Sequence, residues 1–185
     1  MELQVTPRHN APTQVLHWLT AIVVLAAFIY GPGGSEERVY ATARDFERQL
    51  HESLGLAVLA LVVIRVLWRA LDKRPEPPPM ARWMRIAASA VQATLYVLLF
   101  AVPLTAISGA WLEGHALTLL WGIEVPPAFA TSHEAGATIA EIHTWLGDII
   151  IWLAGAHAAA GLIHHYVLKD DVLRSMLPRR DARGS

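Results

Sequence analysis

The chain has 185 residues, of which 54% are hydrophobic and only 17% charged, with a mean hydropathy of +0.37. A soluble domain has roughly 25% charged residues, so this chain lacks the charge that a surface facing water requires. A net charge of −1 gives no electrostatic basis for nucleic-acid binding, and the absence of cysteine excludes disulfides and iron–sulfur clusters.

Four long apolar segments follow one another along the chain. They cover residues 13–30, 51–71, 87–112 and 142–167. Each reaches the roughly 17–25 residues with which a helix crosses a hydrocarbon layer of about 30 Å. A large soluble protein could bury such helices, but 185 residues could not cover four of them. The sequence therefore predicts an all-α fold, an integral membrane four-helix bundle that forms one domain over residues 1–185.

The connections between these segments are short and differ in composition. Residues 31–50 begin with GPGG and then become charged, which favours a short surface helix before the second span. Residues 72–80, DKRPEPPPM, form a proline-rich turn through which no helix can continue. Residues 113–135 are expected on the membrane surface, with a short interfacial helix at 115–122. Residues 178–185 are predicted to be a disordered tail.

The placement of basic residues indicates how the bundle is oriented. Twelve of the 15 Lys and Arg lie in the N-terminal tail, the C-terminal tail and the second connection with its flanking helix end, which share one side of a four-span protein. Cytoplasmic connections are enriched in Lys and Arg, so both termini are predicted to be cytoplasmic. The other three, Arg38, Arg44 and Arg48, are either ordinary surface charge or attract a small anion to the outer side.

Four of the nine histidines lie at matching depths. His17 lies at the cytoplasmic start of the first span, and His51 and His143 lie at the periplasmic starts of the second and fourth. His157 follows His143 by 14 residues, which is about 21 Å along a helix and about 40° around it, so both lie on nearly one face. Two layers result, an outer one of His51 with His143 and an inner one of His17 with His157.

Two imidazoles that face each other at one depth, without cysteine or clustered carboxylates, are typical of a bis-histidine haem site. Arg65 follows His51 by 14 residues and lies at the inner layer, where a haem propionate would supply its counter-charge. Zinc is disfavoured because the layers are about 20 Å apart, and a di-iron bundle would require Glu-x-x-His motifs. A haem-free structural or transport bundle would leave these polar groups without partners.

His164 and His165, near the cytoplasmic end of the fourth segment, admit two interpretations. With the polar residues that follow them they could line a quinone pocket or a proton path, or they are ordinary interfacial histidines. Three further histidines, His9, His115 and His133, are expected to face solvent.

The motifs around these histidines resemble the bacterial cytochrome b561 family. They are LHWL in the first span, HESLG and VVIRVLWR in the second, and H-x13-H-AAA-x3-HH-Y in the fourth, followed by KDDVLRSMLPRR. The similarity runs from about residue 10 to residue 180. It implies a multi-pass protein of the bacterial inner membrane with two haem b groups. By this resemblance His17 and His157 bind the cytoplasmic-side haem, and His51 and His143 bind the periplasmic-side haem.

The resemblance also implies an activity. One branch of the family oxidises superoxide at the periplasmic side and passes the electrons to ubiquinone, which implies an enzyme here, a superoxide:ubiquinone oxidoreductase. Its partners would be membrane lipid, quinone and superoxide as the donor. An alternative within the same resemblance is an electron-carrying cytochrome b subunit that docks on a redox partner protein, a hydrogenase or a formate dehydrogenase.

Overall fold

The computed structural model describes residues 8–72 and 80–178. The elements are six α-helices, two short strands, two 3-10 turns and one π-helical turn. The α-helices are α1 (Ala11–Ile29), α2 (Glu36–Val39), α3 (Asp45–Leu71), α4 (Arg82–Glu113), α5 (His133–Ile163) and α6 (Val172–Ser175). The strands are β1 (Leu117–Leu119) and β2 (Ile123–Val125), the 3-10 turns are Thr42–Arg44 and Leu120–Gly122, and the π-helical turn is His164–Leu168.

Four of the helices, α1, α3, α4 and α5, are long and apolar enough to cross a membrane. Large apolar side chains on their outer surfaces are exposed, among them Ile22 at 63%, Val97 at 64% and Trp152 at 80%. Apolar surface of this extent is stable in lipid and would associate in water. The predicted all-α four-helix membrane bundle is confirmed.

Each predicted span lies almost completely within one of these helices, but all four helices start earlier than predicted, the second and fourth by the most. The second spanning helix begins at Asp45 rather than at residue 51, and the fourth begins at His133 rather than at 142. The prediction followed the apolar residues, and the first turns of both helices are polar. The predicted turn at 72–80 and the predicted tail at 178–185 lie almost entirely outside the described residues.

The helices pack around a small core at the middle of the bundle. Val58 and Val62 from α3, Leu98 and Leu99 from α4, and Ile150 from α5 are buried there. The helix α1 packs mainly on α3, and α4 packs mainly on α5. The bundle therefore consists of two helix pairs joined through α3 and α4.

The α4–α5 pair is closest at two glycines. A Cβ added at Gly136 would lie 2.6 Å from Glu113 Cγ, and one added at Gly109 would lie 3.2 Å from the backbone nitrogen of Ala140. Glycine is therefore required at Gly136 for the two backbones to approach this closely. This crossing fixes the position of α5 against α4. The helix α5 carries two of the four depth-matched histidines.

The outer connections confirm one prediction and correct another. A short helix is present before the second span, as predicted for residues 31–50. The prediction of a helix at 115–122 is wrong, because β1 and β2 form an antiparallel hairpin there. A short apolar run cannot be assigned to helix or strand by composition alone. Trp121 and Gly122 have φ angles of 64° and 73°, which an α-helix does not contain.

Hydrogen bonds fasten α1 to the end of α3. The Asn10 side chain caps the first turn of α1 by accepting from the Thr13 N–H at 3.1 Å, and its amide donates to Asp72 at 2.7 Å. The Thr13 hydroxyl donates to Asp72 at 3.0 Å and accepts from Trp68 Nε1 at 3.0 Å. These contacts fix the helix on which His17 lies.

Candidate functional site

His51 on α3 and His143 on α5 face each other near one end of the bundle, called here the His51 end. Their ring centroids are 6.0 Å apart, and the ring planes are inclined at 78°. Both residues are half-buried. The structure thus brings together the two histidines that the spacing assigned to the outer layer.

A backbone carbonyl holds each ring of this pair through Nδ1. His51 Nδ1 lies 2.8 Å from the Ala27 oxygen, and His143 Nδ1 lies 2.9 Å from the Val102 oxygen. A carbonyl oxygen only accepts hydrogen bonds, so Nδ1 carries the proton in both rings and Nε2 keeps a free lone pair. An imidazole that binds a metal has this arrangement, with its second nitrogen donating to a carbonyl or carboxylate.

The two carbonyls are available for different reasons. The helix α1 ends at Ile29 before a Gly-Pro-Gly sequence, and the Gly31 N–H bonds to Phe28 rather than to Ala27. The Ala27 carbonyl therefore belongs to the last turn, where carbonyls lack partners within the helix. The Val102 carbonyl lies inside α4, and its second lone pair accepts from the His143 ring.

His17 on α1 and His157 on α5 form a second pair at the opposite end, called here the His17 end. Their ring centroids are 6.3 Å apart, with the planes inclined at 74°. Neither ring has a carbonyl partner within the described parts of the chain. His17 Nδ1 instead lies 3.4 Å from Arg65 Nη2, which is longer than an ordinary hydrogen bond. The inner pair is therefore assembled but less firmly oriented than the outer one.

The spacing of both pairs fits one metal ion between two opposed imidazoles. An imidazole nitrogen binds a transition metal at about 2 Å, so opposed nitrogens are about 4 Å apart and the ring centroids roughly 6 Å apart. The separations of 6.0 and 6.3 Å agree with this value. The described chain therefore has donor sets at both levels that could hold a haem iron.

Glycines provide room beside the rings. Gly55 follows His51 by four residues and Gly147 follows His143 by four, so each lies one turn away on the same helix face. A Cβ added at either glycine would meet no atom within 4 Å. Gly161 follows His157 by the same interval, and a Cβ added there would meet only Leu173, in ordinary contact at 3.9 Å. A flat macrocycle held between two rings extends past the next turn of each helix, and these glycines leave that surface open.

Arg65 lies beside the inner pair without an ion-pair partner. No carboxylate of the described residues forms an ion pair with it, and its guanidinium lies over the Tyr96 ring at 5.4 Å. Arg69 lies over the same ring at 5.4 Å. A guanidinium inside a membrane protein requires a counter-charge, and the propionate of a haem is of the right chemistry.

His164 and His165 lie in the π-helical turn that follows α5. His164 Nδ1 lies 2.5 Å from Asp170 Oδ2, and His165 Nδ1 is buried without a hydrogen-bond partner in the described part of the chain. Single π-helical turns are frequent at functional sites. The role of both histidines in a quinone pocket stays a prediction.

Arg48 and Glu52 form a buried polar pair that the sequence prediction missed. Arg48 was expected at the surface but is only 9% exposed, and it pairs with Glu52 at 3.2 Å. Its guanidinium lies 5.2 Å from the Tyr40 ring, and Glu52 also accepts from the Thr118 N–H at 2.5 Å. The i, i+4 spacing of opposite charges at the start of an apolar segment was the available signal.

The outer arginines do not form the free cationic group that would attract an anion. Arg44 pairs with Glu47 at 2.5 Å, and Arg48 pairs with two acids, so their charges are balanced. Arg38 is exposed at the surface. Ordinary surface charge is therefore the better interpretation for Arg38 and Arg44, and it is wrong for Arg48.

His115 does not face solvent as expected. Its ring stacks on Tyr40 with centroids 3.6 Å apart, and its Nε2 lies 2.7 Å from Glu36. Burial, followed by the nearby carboxylates of Glu52 and Glu113, raises the pKa of Tyr40 above its ordinary value, so this phenol stays protonated. Unlike His115, His133 is exposed, as expected.

Comparison with known proteins gives consistent matches over nearly the whole chain. The family model described as prokaryotic cytochrome b561 matches residues 8–179. Cytochrome b561 homolog 2 of Escherichia coli (strain K12) is 31% identical over 171 residues, covering 92% of this chain and 91% of the relative. Cytochrome b561 homolog 1 of the same organism is 33% identical over 177 residues, covering 91% and 96%. A protein of Yersinia pestis named probable superoxide oxidase CybB is 29% identical over 168 residues, covering 89% and 93%.

Proposed function

The chain belongs to the prokaryotic cytochrome b561 family of haem-binding electron-transfer proteins in bacterial membranes, and from this we propose that it holds two b-type haems and carries electrons between the two membrane faces. His51 and His143 are the proposed axial ligands at one level, and His17 and His157 at the other. The observation that carries this proposal is the separation of the ring centroids, 6.0 and 6.3 Å. Haem bound there supplies one-electron transfer.

The residues of the chain have distinct roles in this proposal. The four imidazoles hold the iron, and the Ala27 and Val102 carbonyls orient the outer two rings and increase their basicity. Arg65 pairs with a propionate at the inner level. The small residues that follow the histidines let the helices lie against a flat cofactor. Apolar helices on all sides keep water away from the electron path.

The direction of transfer follows from the orientation and from a relative. Because basic residues concentrate at the His17 end, we place both termini in the cytoplasm and the His51 end at the periplasmic face of the inner membrane. The relative named probable superoxide oxidase supports superoxide as donor. Each superoxide would give one electron to the outer level and leave as dioxygen. Two such electrons with two protons would reduce ubiquinone to the quinol.

The proton supply for that reduction has candidates at the His17 end. His164 and Asp170 lie within hydrogen-bond distance of each other and could pass a proton. The Nδ1 of His165 has no hydrogen-bond partner in the described part of the chain, so it could bind the quinone. We therefore propose that the π-helical turn borders the quinone pocket.

Two measurements on the purified protein test the proposal. A reduced-minus-oxidised spectrum with haem quantified per chain should show two low-spin b haems. Superoxide should then reduce the protein, and added ubiquinone should reoxidise it. Two haems without any quinone-dependent reoxidation would contradict the oxidoreductase activity. Co-purification of a large periplasmic partner would support the alternative, an electron-carrying subunit of a hydrogenase or formate dehydrogenase.

A further inference from the structure

Three potential metal ligands from two separate parts of the chain meet at the His51 end, outside the histidine pairs. They are Glu36 in α2, Glu113 at the end of α4 and His115 two residues later. One ligand atom from each lies within 4.8 Å of those of the other two. His115 Nε2 and Glu36 Oε1 are 2.7 Å apart. The group therefore joins the first outer connection to the end of a spanning helix.

Glu113 is the most unusual member of this group, which we call the Glu36–Glu113–His115 cluster. It is only 9% exposed, and among the described residues its carboxylate has no hydrogen bond and no ion pair. The backbone of α5 closes over it, since a Cβ at Gly136 would lie 2.6 Å from Glu113 Cγ. A carboxylate on a residue this little exposed loses part of its hydration and here gains no protein hydrogen bond in return. Its closeness to two other ligand atoms makes it a candidate ligand of a shared cation.

The cluster contains two acids and one imidazole, a composition that attracts a cation. Glu36 and Glu113 are both acids, and their closeness is unfavourable when both are ionised. The neighbouring guanidinium of Arg48 is already engaged by Asp45 and Glu52, at 3.0 and 3.2 Å. A divalent cation would neutralise both cluster carboxylates at once.

The imidazole of the cluster is already held in place for a metal. The His115 ring stacks on Tyr40 at 3.6 Å with an angle of 20° between the planes, which restricts its rotation. Its Nε2 faces Glu36, where a carboxylate can only accept, so in this arrangement Nε2 carries a proton. A metal ion replaces such a proton when it binds imidazole.

We propose that Glu36, Glu113 and His115 bind a divalent transition-metal cation, with Zn²⁺ as the representative ion. One imidazole nitrogen with carboxylate oxygens suits zinc, whereas magnesium and calcium prefer oxygen donors alone. Three protein ligands leave a fourth position for water. The bound ion would fasten α2 to α4 above the outer histidine pair. The inference does not depend on the proposed electron transfer.

The test uses the full-length protein with its haem in detergent, stripped with a chelator and titrated with Zn²⁺. We expect one equivalent to bind with high affinity, and Glu36→Gln and His115→Gln to weaken it by more than about tenfold. Glu37→Gln is the matched control, because this neighbouring acid is exposed and outside the cluster. An unchanged haem spectrum verifies that each variant is folded.

X-ray absorption at the zinc edge gives a second measurement that folding defects do not imitate. It should show one imidazole and oxygen ligands in the wild type and lose the imidazole signal in His115→Gln. Failure of the wild type to retain zinc would overturn the proposal. So would an equal loss of affinity in Glu37→Gln and Glu36→Gln, since this would indicate unspecific binding to surface acids.

Discussion

The two histidine pairs have nearly the same spacing, but their surroundings differ. At the His51 end both rings donate to backbone carbonyls, at 2.8 and 2.9 Å. At the His17 end the ring of His17 meets the guanidinium of Arg65 at 3.4 Å instead. A carbonyl acceptor makes an imidazole a stronger donor to iron and favours ferric iron, whereas a nearby positive charge favours the reduced state. The comparison predicts a lower redox potential at the His51 end, so that electrons pass downhill toward the His17 end.

The largest effect that the proposed two-haem arrangement predicts is the loss of one haem when one ligand is removed. His143→Ala should retain only the haem at the His17 end, and His157→Ala only the haem at the His51 end, because each iron needs two axial ligands here. Haem per chain should fall by about half in each variant, with a different residual absorption band. His133→Ala, an exposed histidine on the same helix, should keep both haems. Loss of both haems in either variant would show that the two ends are not independent.

The next effect concerns packing at the His51 end. Gly136→Ala places a Cβ 2.6 Å from Glu113 Cγ and should force α4 and α5 apart. Overpacking of this kind costs about 1–3 kcal/mol in the free energy of unfolding. Gly155→Ala on the same helix, where the residue is exposed and nothing lies within 4 Å, is the matched control and should leave stability unchanged or slightly raised. Thermal denaturation in detergent measures both. Equal stability of the two variants would mean that the crossing tolerates a side chain.

The contrast between the ends also shows what the sequence can predict. Helix periodicity and a 14-residue interval were sufficient to pair the four histidines, because positions along a spanning helix translate directly into depth. The same arithmetic placed Arg65 near the inner pair. The positions of these groups depend only on straight helices that cross the same layer with nearly parallel axes, and the apolar segments already define such helices.

The connections at the His51 end were beyond such arithmetic. The hairpin replaced a predicted helix because the apolar run at 115–122 fits both structures, and its turn depends on a positive φ at Trp121. Glu52, the partner of Arg48, accepts from the Thr118 N–H of the hairpin, which is 66 residues later in the sequence. The burial of Arg48 therefore depends on a distant segment. Contacts between distant segments of this kind leave no periodic signal in a single sequence.

A smaller effect is expected from the charge at the His17 end. Arg65→Gln should lower the redox potential of the inner haem, because a positive charge that stabilises the reduced state is removed. A charge interaction on the order of 1 kcal/mol corresponds to roughly 40 mV for one electron. Arg69→Gln is a suitable control, since Arg69 shares the contact with Tyr96 but does not reach His17. A redox titration that moves the outer haem instead would reverse the assignment of the two ends.

The smallest effect tests the carbonyl that orients His143. The Thr105 hydroxyl lies 2.9 Å from the Val102 oxygen and 2.8 Å from the Ala101 oxygen, so it competes part of the time for the carbonyl that His143 uses. Thr105→Val removes this competition at nearly constant volume. The carbonyl then accepts more strongly from His143 Nδ1, the ring becomes a better donor to iron, and the outer potential should fall by less than it does for the inner haem in Arg65→Gln. The exposed Thr144→Val, one residue after His143, should change nothing. A rise in the outer potential would show that the threonine polarises the carbonyl rather than competing for it, and the orientation of His143 would then depend on both groups together.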